Sequence, residues 1–87
     1  MSKAIFKYPV TLTQTNHIRL SGPIVHAAIA PGTSMIALWA EVGVHGGRER
    51  TFQVFGTGHE IPDAAEYIAT VFDGIFVWHI YETEATR

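Results

Sequence analysis

Two runs of β-type residues flank Asp73-Gly74 near the C-terminus, and this dipeptide between strands is the strongest short-range hairpin signal a sequence carries. A two-residue Asp-Gly turn sets a register. Phe72 then faces Ile75, Thr70 faces Val77, Ile68 faces His79 and Glu66 faces Tyr81 on one side of the ribbon; Val71/Phe76, Ala69/Trp78 and Tyr67/Ile80 pair on the other. Both sides are apolar. A hairpin on the outside of a small domain alternates apolar and polar residues, so a ribbon that is apolar on both sides needs cover on both. A chain of 87 residues buries only about 60–65% of its unfolded surface, too little to provide that cover with ease. The expectation is self-association or a partner, with Tyr67, Ala69, Val71, Phe76, Trp78 and Ile80 as the interface.

The rest of the chain reads as further short strands. Lys3 to Tyr8 alternates and stops at Pro9, which suits a strand end or edge. Gln14 to Leu20 puts Ile18 and Leu20 on one face and His17 and Arg19 on the other. Ile24 to Ala30 is short and apolar, and its alanines let a neighbouring strand come close. Met35 to Val42 sets Ile36, Leu38, Ala40 and Val42 against Ala37, Trp39 and Glu41, which places Trp39 away from the core. A Gly-rich loop from Gly43 to Arg48 precedes a strand over Arg50 to Phe55 with Phe52 and Val54 inward. No ten-residue stretch carries helical periodicity, and turn signals recur every eight to twelve residues or so. The expected fold is one all-β domain, residues 1–87, a small antiparallel sandwich or barrel of about seven strands ending in the two-sided hairpin.

Composition narrows the function. The chain is 47% apolar and 16% charged, against about 25% charged in an average soluble domain, so part of the apolar surface is expected at an interface. A formal net charge of -2 gives no counterion-release term for holding a polyanion, which disfavours general nucleic-acid binding. There is no cysteine, hence neither a disulfide framework nor a thiolate metal site. No apolar run reaches the roughly 18 residues of a membrane span and no apolar signal core follows Met1, which reads as a cytoplasmic protein without membrane partners.

Candidate chemistry is sparse. Gly56-Thr57-Gly58-His59 is the best ligand-binding candidate, because two glycines let a ligand approach the main chain and His59 adds a titratable donor. It is no Walker loop or dinucleotide fingerprint, and a tight bend after a strand is its plainer reading. Arg48 and Arg50, in the basic turn from His45 to Arg50, offer guanidiniums to a phosphate or carboxylate, with Glu41 and Glu49 at hand to neutralise them. Trp39 offers a stacking face. The five histidines show no i,i+2 or i,i+4 pairing, so neither a metal nor another cofactor is expected, and His79 reads as a core or interface histidine near Glu66. Ser2, Ser21 and Ser34 sit at a terminus or in turns, outside any nucleophile-elbow pattern. Nothing here points to an enzyme.

Lys7-Tyr8-Pro9, Leu38-Trp39-Ala40, Arg50-Thr51-Phe52, Gly56-Thr57-Gly58-His59, Phe76-Val77-Trp78-His79 and Tyr81-Glu82 together resemble a family of small uncharacterised proteins encoded by tailed bacteriophages and prophages. The resemblance spans nearly the whole chain and brings no catalytic residues with it. It implies a small accessory protein in the cytoplasm of an infected host, of the kind that counters host defence. Two functions follow as expectations. One is an anti-defence binder that sequesters a small anionic or nucleotide signal at a subunit interface of a homo-oligomer, using Gly56, Thr57, Gly58, His59, Arg48, Arg50 and Trp39. The other is an interaction module that inhibits or adapts a host protein through an exposed strand or the aromatic hairpin.

Overall fold

The computed structural model describes residues 2–43 and 46–83 and shows seven strands: β1 (Ala4–Val10), β2 (Asn16–Leu20), β3 (Ile24–Ile29), β4 (Ile36–Val42), β5 (Arg48–Gly56), β6 (Glu66–Asp73) and β7 (Phe76–Thr83). They form two sheets, ordered β1-β4-β3 and β2-β5-β7-β6, with every pairing antiparallel. The body measures 42 × 36 × 17 Å; the short dimension is that of two sheets stacked about 10 Å apart. The architecture is therefore a sandwich. No helix occurs among the described residues.

Period-2 alternation explains the core. Val10, Ile36, Leu38 and Ala40 from one sheet meet Ile18, Leu20, Phe52, Val71 and Ile80 from the other. Each of these Val, Leu, Ile and Phe side chains removed from water contributes about 1.5–3 kcal/mol. At one side of the sandwich the edge strands β3 and β6 lean together, as the small side chains Ala27 and Ala28 of β3 permit. Strand β1 runs through Pro9 to Val10 rather than stopping before the proline. It can do so because it is an edge, where a missing backbone donor is tolerated. Strand β5 starts at Arg48, two residues ahead of the expected Arg50. Val44 and His45 of the expected loop lie outside the described residues, as do residues 84–87; Thr83 belongs to β7.

The terminal hairpin exists, but its register differs from the expected one. Asp73 pairs with Phe76, Phe72 with Val77, Val71 with Trp78, Thr70 with His79 and Ala69 with Ile80. Gly74 and Ile75 are thus the central turn residues, and only Gly74 has positive φ, at 61°. This is the II′ pattern, which needs one left-handed residue and places it at a glycine, whereas a turn centred on Asp73-Gly74 would force Asp73 there too. The shift is by two residues, so face membership survives as far as Ala69. A bulge between Tyr67 and Ala69 then breaks it. Ile68 packs on the core, and Tyr67 moves to the outer face beside Tyr81. Gly74→Ala is expected to lower stability by about 1 kcal/mol and Asp73→Ala by less than about 0.5, as read by urea denaturation. Equal losses at both positions would return the turn to Asp73-Gly74.

The chain covers much of the two-sided ribbon itself. Its inner face lies against β1-β4-β3. Strands β5 and β6 run parallel with β7 between them, so the connection 57–65 returns the length of the sheet. That connection sets out over the outer face, where Thr57 Oγ1 lies 3.0 Å from His79 Nε2, and it carries half-buried Ile61 and Ala65.

Candidate functional site

Arg50 and Glu82 face each other on the inner surface at one end of the sandwich, here named the arginine end. Arg50 shares its face with Phe52, and Phe52 pairs with Glu82 across β5 and β7, which brings residues 32 apart in sequence within reach. Arg50 Nε donates to Glu82 Oε2 at 2.9 Å and Nη2 to Oε1 at 2.6 Å. This two-pronged geometry is the strongest form of the pair. Arg50 Nη1 also donates to the Gly22 carbonyl at 3.3 Å, and the guanidinium lies 5.3 Å from the Phe52 ring centre. The side chains are only 16% and 19% exposed. Hydrogen bonding to Arg50 holds the Glu82 carboxyl below its ordinary range against the opposing effect of burial, and the same bond raises Arg50.

Arg48 is different. Its side chain is 77% exposed, and its one ion pair among the described residues is with Glu82 at 4.0 Å. It borders an open cleft of about 510 Å³ lined by Leu20, Ser21, Gly22, Pro23, Gly46, Gly47 and Arg50. The cleft walls are drawn tight. A Cβ on Gly47 would overlap the Leu20 carbonyl, Arg19 Nη1 donates to the Gly47 carbonyl at 2.5 Å, and Gly43 N donates to Ser21 Oγ at 2.8 Å. Glu41 and Glu49, the expected neutralisers of the arginines, are engaged elsewhere: Glu41 with Lys3 at 2.9 Å and Glu49 near His17 at 3.0 Å. Glu82 takes that part, and nothing local in the sequence marks it.

The Gly56–His59 segment is a turn closed on itself. His59 N donates to the Gly56 carbonyl and Gly56 N donates to His59 Nδ1, both at 3.1 Å. Those two N–H groups are thereby occupied within the bend. Thr57 faces outward and starts a chain of polar contacts: Thr57 Oγ1 to His79 Nε2 at 3.0 Å, His79 Nδ1 to Thr70 Oγ1 at 3.3 Å, and Thr70 Oγ1 to Tyr67 Oη at 2.8 Å. His79 is thus placed by two threonines, with Thr70 rather than Ile68 opposite it. Tyr81 packs edge-on between Phe55 and Tyr67, at 5.8 and 5.6 Å between ring centres. The chain has hydroxyls at both ends and no carboxylate to orient the imidazole as a base.

Trp39 lies on the outer face of the other sheet, between Lys7 and His26, its ring 5.5 Å from the His26 ring. The expected ligand-binding residues therefore occupy three surfaces of one protomer. Arg48 and Arg50 are together; Gly56 to His59 stand at the far end of β5, roughly 27 Å away at strand rise; Trp39 belongs to the opposite layer. The residues of the expected interface divide between core and surface. Val71 and Ile80 are core residues, with Trp78 packed against them, because the three-stranded sheet covers the face they share with Ala69. Tyr67 is exposed on the other face, and Phe76 is exposed beyond the sandwich end.

That second end, the hairpin end, has a cavity of about 190 Å³ whose lining includes Val10, Leu12, Met35, Ile36, Asp73 and Trp78. It joins the β1–β2 and β3–β4 connections to the base of the hairpin.

A model of one protein family matches residues 1–87, the whole chain; its description is Domain of unknown function (DUF7352). The chain belongs to this family. No curated protein and no solved structure matches it. Among the described residues no three His, Asp or Glu side chains are grouped to hold a metal ion, and no helix is long and apolar enough to cross a membrane.

Proposed function

We propose that this protein is a non-enzymatic binding protein that holds a small anionic ligand in the cleft at the arginine end. The observation that supports this reading is Arg48: a largely exposed guanidinium on a cleft of about 510 Å³, within the roughly 300–1,000 Å³ of small-molecule sites. Arg50 contributes position more than charge, because Glu82 already balances it. A phosphate or carboxylate would take the outer edge of Arg48 in two-pronged fashion and compete with the distant Glu82 contact. In the phage setting that the sequence resemblance implies, the ligand would be a nucleotide signal of host defence, withdrawn by binding in the cytoplasm. The exposed apolar hairpin end favours the second reading, an interaction module acting on a host protein.

Thermal melts in the presence of inorganic phosphate and of a nucleotide series test the first reading. A ligand at 100 times its Kd stabilises the native state by about 2.7 kcal/mol, which in a domain of this size raises Tm by about 10 °C or more. Arg48→Ala is expected to abolish that rise and to leave the unliganded Tm within about 2 °C of wild type, since an exposed side chain contributes little to folding. If no anion moves the wild-type Tm, the cleft is not a ligand site and the interaction module takes its place.

A further inference from the structure

Five of the nine exposed large apolar side chains among the described residues lie at the hairpin end. Phe72, Ile75 and Phe76 are 74%, 90% and 54% exposed, and exposed Leu12 and Met35 line the adjoining cavity. Phe76 stacks on Trp78, with ring centres 5.8 Å apart and planes 20° apart, which ties the start of β7 to the cavity wall. Phe72, paired with Val77, lies on the outer face of the ribbon, away from the cavity; Ile75, Phe76, Leu12 and Met35 present on the order of 450 Å² of surface, within the range of the largest apolar patch on a typical monomer. One end thus carries both a projecting residue, Ile75 at the turn, and a hole of about 190 Å³. A cavity of about 150 Å³ accepts a benzene-sized group, so an isoleucine side chain fits.

We propose that this end is a homodimer interface in which Ile75 of each copy seats in the cavity of the other across a twofold axis. A projection and its receptor on the same patch are the condition for an isologous contact that closes on itself; on separate patches they would propagate into a filament. Two such patches together remove on the order of 900 Å² from water, the size of a weak, reversible interface. The electrostatic opposition is small, because Asp73 is the one charged residue among those lining the cavity. The interface leaves the arginine end free, so its test is independent of ligand binding.

Sedimentation velocity of the full chain across about 1–200 µM reads the monomer–dimer equilibrium directly. The wild type is expected to shift from monomer to dimer over this range, and its Tm to rise with concentration. Ile75→Asp is expected to weaken the dimer about 100-fold with an unchanged circular dichroism spectrum, since this turn residue touches little of its own protomer. Met35→Trp, which narrows the cavity, is expected to weaken the dimer as well. A wild type that stays monomeric at the top concentration overturns the proposal, and so does an Ile75→Asp variant that dimerises as tightly as wild type.

Discussion

Phe52→Ala is expected to remove most of the stability of this protein. The ring is fully buried in β5, a strand flanked on both sides by β2 and β7, and it forms part of the cluster that joins the two sheets. A buried Phe truncated to Ala costs about 3–5 kcal/mol, from lost transfer energy and from the cavity left behind. At about 0.05–0.15 kcal/mol per residue a chain of 87 residues has roughly 4–13 kcal/mol in total, and small domains lie toward the lower figure. Phe72→Ala removes the same atoms from a side chain that is 74% exposed, and is expected to cost under about 1 kcal/mol. Urea denaturation of the two variants side by side gives the contrast. Similar losses at both positions would mean that the assignment of inner and outer faces is wrong.

The second large effect is at the arginine end. Glu82→Gln is expected to cost about 2 kcal/mol at pH 7, the range for a hydrogen bond to a charged group when its partner is left partly buried. The pH dependence has a definite sign. Glu82 is held below its ordinary range in the folded protein by Arg50, so the unfolded chain binds a proton first as pH falls. The pair's contribution is complete above about pH 5, declines as pH falls through the folded-state value of Glu82, and is absent once both states are protonated. Wild type and Glu82→Gln are therefore expected to differ at pH 7 and to converge in denaturant midpoint toward pH 3. Arg50→Lys is not expected to restore wild-type stability, because an ammonium cannot reproduce the parallel bonds of the guanidinium. A gap between wild type and Glu82→Gln that is constant from pH 7 to pH 3 would show that the carboxylate charge contributes nothing.

The proposed anion cleft and the proposed dimer interface lie at opposite ends of the sandwich. Arg48 lies near the β2–β3 turn, and Ile75 lies at the hairpin end with Leu12 and Met35. A dimer joined at the hairpin ends would point its two arginine ends away from each other. Each cleft would then bind its ligand by itself, with no residue shared between copies.

The sequence by itself determined the fold class and the position of all seven strands, because alternation and turn residues act over neighbours. Ile18 and Leu20, Phe52 and Val54, and the separation of Trp39 from Leu38 are legible from period 2 alone. The existence of the final hairpin is equally local. Its register was not, since a II′ turn at Gly74-Ile75 and an Asp-Gly turn one residue earlier are both compatible with the same dipeptide, and the choice rests on keeping Asp73 out of the left-handed region. The bulge that turns Ile68 inward and Tyr67 outward depends on which of them the opposite sheet accepts. The site was less legible still. Arg48 and Arg50 are visible as cations, but whether a cation is free or spent is settled by Glu82, 32 residues from Arg50, through the β5–β7 pairing. Likewise the apolar ribbon showed that cover was needed, and only the packing of β1-β4-β3 over Val71 and Ile80 decided that the chain supplies most of it and leaves the hairpin end bare. Local patterns follow from the pleat of one strand. Pairing partners and exposed ends follow from how the strands are stacked, which couples residues that no short stretch of sequence contains.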